Sequence, residues 1–165
     1  MIRYALLALI LGGAVRQERP VFVHATVISL KSGEKKALPA GALDAVGKQI
    51  AQETSYTQLE VIATAVVRTE DSTLTKLSLG TPMNLCLAFK PIAGSGTTLT
   101  ELQLTDETER TVVTVTAQST VTEKKPNAKV LLATRCSFGD EAPTLVGIVG
   151  TGDSAVALVI RVTSK

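Results

Sequence analysis

Aromatic residues, histidine and cysteine are scarce in this sequence, and each scarcity argues against a class of function. The 165 residues include no Trp and only 3% aromatic residues, so stacking platforms for bases or sugars are not expected. Histidine occurs once, at His24, and cysteine twice, which leaves too few ligands for a metal site built on His and Cys. The formal net charge is only +2, without a concentrated basic patch, so no nucleic-acid partner is predicted.

The sequence also lacks a recognisable catalytic set. A Ser–His–Asp arrangement would have to use His24, and no GxSxG segment presents a serine nucleophile. The carboxylates fall in segments that we interpret as solvated turns: Glu70-Asp71, Asp106-Glu107 with Glu109, and Asp140-Glu141. A glycosidase-like pair of carboxylates is a remaining alternative. We therefore predict a protein that is not an enzyme, with no catalytic, cofactor-binding or metal-binding residues.

The first residues resemble an export signal. Arg3 supplies a positive charge, Tyr4–Leu11 is an unbroken apolar run, and small residues follow at Gly12-Gly13-Ala14. The run is shorter than the roughly 20 apolar residues that a membrane-spanning helix needs. We interpret residues 1–14 as a cleaved signal peptide, which predicts a periplasmic or secreted protein with no transmembrane span in the mature chain. The alternative is a buried first strand or helix.

Beyond residue 20 most of the chain has the pattern of β-strands. Apolar and polar residues alternate from Val21 onward, Thr and Val are abundant, and turn residues recur at intervals of about 8–12 residues. Helical spacing occurs at 42–53, which predicts one amphipathic helix. We predict a single domain over 20–165 that is mainly β (α+β), an antiparallel β-sandwich-like fold of about 8–9 strands with one helix. Within it, DETER (106–110) and EKKPNA (123–128) are expected to be loops between short strands.

The glycine-rich segment LVGIVGTGDSA, residues 145–155, has the beginnings of a dinucleotide-binding motif. That motif needs a helix after the glycines and an acidic residue about 20 positions further on. Here only 13 residues follow Gly152, and AVALVIRV alternates like a strand. We predict a terminal hairpin with arms at 145–149 and 155–162.

Cys86 and Cys136 lie in separate apolar stretches. In an exported chain they are candidates for a disulfide, and the alternative is a pair of buried free thiols. Their spacing fits neither a metal site nor a CxxC redox motif.

Several segments together are similar to a known family. PVFVHATVISL resembles an opening strand, LEVIATAVVRTEDSTLTKLSLGTP a strand–turn–strand unit ending in Gly80-Thr81-Pro82, and TVTAQSTVTEKKPNAKVLLATRCSFGDEAPTLVGIV two late strands and a turn. These segments resemble the β-domain of bacterial secretins, the ring-forming proteins of type II and III secretion and type IV pilus systems. The family usually has Glu where His24 stands.

The resemblance implies a short soluble relative and transfers no functional residue. Secretins carry N-terminal ring-building modules and long amphipathic hairpins, whereas the strands expected between Pro91 and Glu123 have only about 7 and 11 residues. We therefore expect an exported, non-enzymatic structural or protein-interaction module of the cell envelope. Its partner would be a protein or a second copy, contacted through edge strands. The alternative is a ligand-binding sandwich that uses the surface loops AGSG, DETER or EKKPNA.

Overall fold

A computed structural model describes residues 20–34, 37–80, 84–93, 96–115, 120–139 and 141–164. Within these ranges the chain forms eight β-strands and one α-helix, which a short 3-10 turn at Gly41–Leu43 precedes. The predicted signal peptide, residues 1–14, lies outside the described residues. The elements are β1 (Val21–Lys31), α1 (Asp44–Glu53), β2 (Gln58–Thr69), β3 (Thr75–Gly80), β4 (Leu85–Ala93), β5 (Thr97–Val115), β6 (Thr120–Phe138), β7 (Thr144–Thr151) and β8 (Ser154–Thr163).

The strands form two four-stranded sheets. The first sheet has the order β2-β1-β8-β7 and the second the order β3-β4-β5-β6. Every pairing between these strands is antiparallel. The chain passes from the first sheet to the second between β2 and β3, and returns between β6 and β7. This architecture confirms the predicted mainly-β, sandwich-like fold with one helix.

The main core lies between the two sheets. Along β1, Val23, Ala25 and Val27 have no exposed area, while His24 and Thr26 between them are half-buried on the outer face. Successive side chains of a strand point to opposite faces, so the alternation in the sequence becomes a buried face and an outer face. The second sheet contributes mostly large side chains: Leu79, Leu85, Leu87, Phe89, Leu99, Leu102, Leu104 and Phe138. Each fully buried Leu contributes roughly 1.5–3 kcal/mol to stability.

A smaller core lies on the outer face of the first sheet, under helix α1. Ile28 and Leu30 of β1 are fully buried there together with Ile50 of the helix. The β1–β2 pairing shifts by one residue between Val27 and Ile28, where the buried side of β1 changes from one face to the other. Strand β8 is central to both cores, and every residue from Ala155 to Ile160 is buried. Over these residues β8 is therefore covered on both faces, by the second sheet on one side and by the helix cluster on the other.

Helix α1 and the preceding 3-10 turn confirm the helix predicted at 42–53. Val46 and Ile50 bury one side of the helix against β1 and β8, and Leu43 packs against the same cluster. Gly47 weakens helix propensity, but a Cβ at this position would lie 2.8 Å from Pro39 Cδ, so the close approach of these segments requires glycine. No helix in the described ranges has the length and hydropathy to cross a membrane.

The carboxy-terminal hairpin is also confirmed. Strands β7 and β8 pair up to Thr151 and Ser154, so that Gly152 and Asp153 alone form the turn. Gly152 has φ +73°, as the first central residue of a type II′ turn requires. Residues after Ser154 form a strand and not a helix, so the glycines here turn a hairpin and have no helix N-terminus at which to hold a phosphate.

The prediction for the segment between 97 and 138 was wrong. Instead of three short strands with two loops, this segment contains two strands of 19 residues each, β5 and β6. DETER lies within β5 and EKKPNA within β6, where Glu109 pairs with Pro126 and Arg110 with Lys125. Both segments are rich in charged residues, which is typical of a loop, but a strand needs apolar alternation only where one of its faces is buried. The expected hairpin turn between β4 and β5 is present, with Ala93 paired to Thr97.

Candidate functional site

The carboxylates that the structure describes are spread over several elements. Among the described residues, no group of three or more His, Cys, Asp and Glu side chains could hold a metal ion. Glu70 and Asp71 lie at the β2–β3 turn as expected, whereas Asp106, Glu107 and Glu109 belong to β5. Asp140 lies outside the described residues. Glu141 accepts hydrogen bonds from the backbone N–H and the hydroxyl of Ser164, at 3.5 and 3.4 Å from its Oε1.

The sequence left open whether the two cysteines form a disulfide or remain free thiols. In the structure both are free thiols, so the disulfide is not formed. Cys86 alternates with the buried Leu85 and Leu87 of β4 and therefore faces outward from the second sheet. Cys136 packs against the core between the sheets, on the opposite face. Strand β5 also separates them. Two cysteines on opposite faces of a sheet and on non-adjacent strands do not meet the geometry of a disulfide.

Cys86 lies in a mixed electrostatic environment on the outer face of the second sheet. Burial raises the pKa of its thiol first, and the Glu107 carboxylate raises it further by its negative charge and by a hydrogen bond. Lys76 on β3 acts in the opposite direction and lowers the pKa. Because the raising effects dominate, Cys86 is protonated at neutral pH and is a poor nucleophile.

We expect Cys86 to react with iodoacetamide more slowly than an unperturbed thiol at pH 8, because its raised pKa leaves less thiolate. Glu107→Gln should speed the reaction about threefold, and Lys76→Gln should slow it by a similar factor. The measurement is alkylation over time, followed by mass spectrometry of the peptide that contains Cys86, with the Cys136 peptide as an internal reference. Equal rates in both variants would contradict this account of the Cys86 environment.

A small cavity lies on the outer face of the first sheet, beside the amino-terminal end of helix α1. Its volume is about 190 Å³, and Ala42 and Leu43 of the 3-10 turn and Pro143 of the β6–β7 connection lie at its walls. His24 and Arg161 lie at its floor, where they are paired across β1 and β8. The pKa of His24 is lowered, first by burial and then by the positive charge of Arg161. The ring is therefore mostly neutral at pH 7.

The sequence predicted that His24 lies on a strand but did not indicate its partner in this cavity. The available signal was Arg161, the one charged residue within the apolar strand AVALVIRV. The pairing of β1 with β8 brings the two residues together although 136 residues separate them in the chain.

The β5–β6 hairpin continues beyond the point where β4 stops pairing with β5. Strand β4 pairs with β5 only as far as Leu85 and Asp106, and one further backbone bond joins the Glu107 N–H to the Asn84 carbonyl at 3.1 Å. The β5–β6 pairing continues from there to Val115 and Thr120. At about 3.4 Å per residue, the hairpin extends roughly 30 Å beyond the body of the sheet. We call the residues 108–115 and 120–127 the projecting arms.

Three comparisons with known proteins complete the description of these sites. A scan against protein-family models, a search of curated proteins and a search of solved structures each found no match to this chain. The fold and the geometry of the described residues are therefore the basis of the functional proposal.

Proposed function

We propose that this chain is a non-enzymatic structural or protein-interaction module of the cell envelope, which associates with copies of itself through the projecting arms. The observation that carries the proposal is that both strands of the projecting arms lack an outer partner among the described residues. Each arm therefore presents a row of backbone N–H and C=O groups that a further strand can pair with.

The composition of the arms supports strand pairing. The sequence is entirely Thr and Val over 111–115 and over 120–122, and β-branched residues favour extended backbone. The charged segments 106–110 and 123–125 lie nearer the body of the sheet. Charges on an exposed edge discourage uncontrolled aggregation, so this distribution favours pairing that is restricted to the ends of the arms.

The two arms are not equivalent as edges. Pro126 lies in β6 and has no N–H to donate, which interrupts the outer edge of that strand. The arm of β5, 108–115, contains neither proline nor glycine. We therefore expect β5 of one copy to pair with β5 of a second copy, which gives a closed two-fold dimer. Pairing of β5 with β6 would instead continue to larger rings or filaments.

The location in the cell envelope and the kinship with secretins are parts of this proposal. The signal-like residues 1–14 support export, and the long β5–β6 hairpin removes one of the differences from secretins that the sequence had predicted. Mass spectrometry of the protein purified from its native envelope fraction tests export: we expect a mature chain that begins near residue 15. A chain that retains residues 1–14 would contradict the cleaved signal.

Size-exclusion chromatography with light scattering tests the self-association. We expect the mass of two copies or more for the intact chain, and the mass of one copy when residues 109–126 are replaced by an Asn-Gly turn. The deletion leaves the buried residues Leu99, Leu102 and Leu104 of β5 in place, so the body of the sandwich should still fold. A thermal unfolding transition in the shortened variant verifies this.

A point substitution provides a milder test. Val113→Lys places a charge in the Thr/Val part of the β5 arm and should weaken association at least tenfold, because a lysine disfavours pairing at an edge. Val130→Lys is the matched control, since Val130 is 54% exposed on β6 within the body of the sheet. A monomeric intact chain at high concentration, or equal effects of the two variants, would contradict the proposal.

A further inference from the structure

The cavity beside His24 and Arg161 has the chemistry of an anion site, and its floor is built from two rows of paired residues. In one row His24 of β1 is paired with Arg161 of β8. In the neighbouring row Thr26 of β1 lies between Thr64 of β2 and Val159 of β8. A guanidinium group, an imidazole ring and two hydroxyl groups thus lie at one small opening.

Arg161 is a half-buried residue, and its guanidinium group has no counterion within the described part of the chain. No hydrogen bond or ion pair joins its side chain to another described residue, and none of the described residues at the cavity is acidic. Glu141, which lies two residues before Pro143, instead binds Ser164. A partly desolvated charge without a partner is unfavourable, and an anion in the cavity would supply that partner.

His24 adds a hydrogen-bonding group without adding a second full charge. Its Nε2 lies 3.4 Å from Thr163 Oγ1, which leaves the other ring nitrogen for a ligand. Because burial and Arg161 lower the pKa of His24, the floor of the cavity carries about one positive charge at pH 7. A singly charged anion matches this charge better than a doubly charged phosphate does.

The remaining surface and the volume restrict the ligand further. Leu43, Pro143 and Val159 give the cavity an apolar side opposite the polar groups. A volume of about 190 Å³ corresponds to roughly six water molecules, below the range of pockets that hold drug-sized ligands. This volume is large enough for a carboxylate with a short branched aliphatic part.

We propose that this cavity binds a small aliphatic carboxylate. The guanidinium group of Arg161 pairs with both carboxylate oxygens. His24 and the two threonine hydroxyls donate further hydrogen bonds, and Leu43 and Pro143 contact the aliphatic part. A planar guanidinium group matches the two oxygens of a carboxylate, which gives such pairs both strength and orientation. The carboxylate belongs either to a free monocarboxylic acid or to the last residue of a peptide.

Ligand-observed saturation-transfer NMR on the full chain tests the proposal, because it tolerates an oligomer and weak binding. The probes are isobutyrate, its methyl ester, N-acetyl-Gly-Val with a free carboxylate, the same peptide as an amide, and inorganic phosphate. We expect saturable binding of isobutyrate with a dissociation constant of about 1 mM, given how few atoms make contact. The ester and the amide should not bind. Tighter binding of the free peptide than of isobutyrate assigns the site to a peptide terminus, and the reverse order to a free acid.

Variants test the assignment to Arg161. Arg161→Gln should weaken carboxylate binding at least tenfold, and Thr64→Val should weaken it by about threefold. Arg135→Gln is the matched control, because Arg135 is exposed on β6 and should leave the affinity unchanged. Thermal unfolding of each variant verifies that the first sheet is intact. Absence of saturable binding, tighter binding of phosphate than of carboxylate, or an unchanged affinity in Arg161→Gln would overturn the proposal.

Discussion

Replacing Leu87 with alanine is expected to lower the free energy of unfolding by about 3 kcal/mol, a large share of the roughly 5–15 kcal/mol that stabilises a typical domain. Leu87 has no exposed area and lies on β4, paired with Leu77 on one side and Leu104 on the other. The substitution removes three carbon atoms from the core between the sheets and leaves a cavity that the paired strands can close only in part.

Leu74→Ala is the matched control for this prediction, because it makes the same chemical change at a residue that is 55% exposed in the β2–β3 turn. We expect it to change stability by no more than about 0.5 kcal/mol. Urea unfolding of both variants measures the difference, which should also appear as a melting temperature lower by about 9 °C for Leu87→Ala. Similar stabilities for the two variants would show that Leu87 does not lie in a closely packed core.

Gly150→Ala is expected to be equally damaging, for a different reason. Gly150 has φ +141°, which L-residues rarely adopt, and a Cβ there would lie 2.6 Å from the Ala155 Cα and 2.8 Å from the Ser154 carbonyl oxygen. These contacts are to backbone atoms of the paired strand, so no side-chain rotation relieves them. We expect a loss of about 3 kcal/mol in the free energy of unfolding.

Alanine substitutions at two further glycines distinguish the cost of an unfavourable backbone conformation from the cost of steric contact. Gly152 has φ +73° but open space around a Cβ, so Gly152→Ala should cost about 1 kcal/mol. Gly139 has neither a positive φ nor a neighbour within 4 Å, so Gly139→Ala should be nearly neutral. Chemical unfolding should rank the three variants in the order Gly150, Gly152, Gly139. A tolerated alanine at residue 150 would contradict the hairpin geometry described for β7 and β8.

The sequence predicted those parts of the fold that depend on local patterns. Strand β1 alternates between apolar and polar residues, helix α1 carries Val46 and Ile50 at helical spacing, and Gly152 marks the last turn. The segments DETER and EKKPNA were mistaken for loops, because charged residues without apolar alternation are as typical of a loop as of a strand that has no buried face. Strand composition alone does not distinguish an exposed hairpin from two loops.

The candidate sites depend on contacts that no local pattern contains. His24 and Arg161 meet only because β1 pairs with β8, and the register of that pairing follows from the packing of both strands in the core. The projecting arms exist because the β4–β5 pairing stops at Leu85, the first residue of β4, and Asp106, while the β5–β6 pairing continues. Most strands were visible in the sequence, but the full lengths of β5 and β6 and the order of the strands in each sheet were not.

The pairing of β1 with β8 also affects when the protein can fold. These strands form the centre of the first sheet, so neither that sheet nor the hydrophobic cluster under the helix can close until the ribosome has made residues up to about 163. Contacts between such distant segments give the domain a high contact order, which slows folding. During synthesis β1 can pair with β2 but not yet with β8, and this interval is when a chaperone or an export factor would find the sheet incomplete.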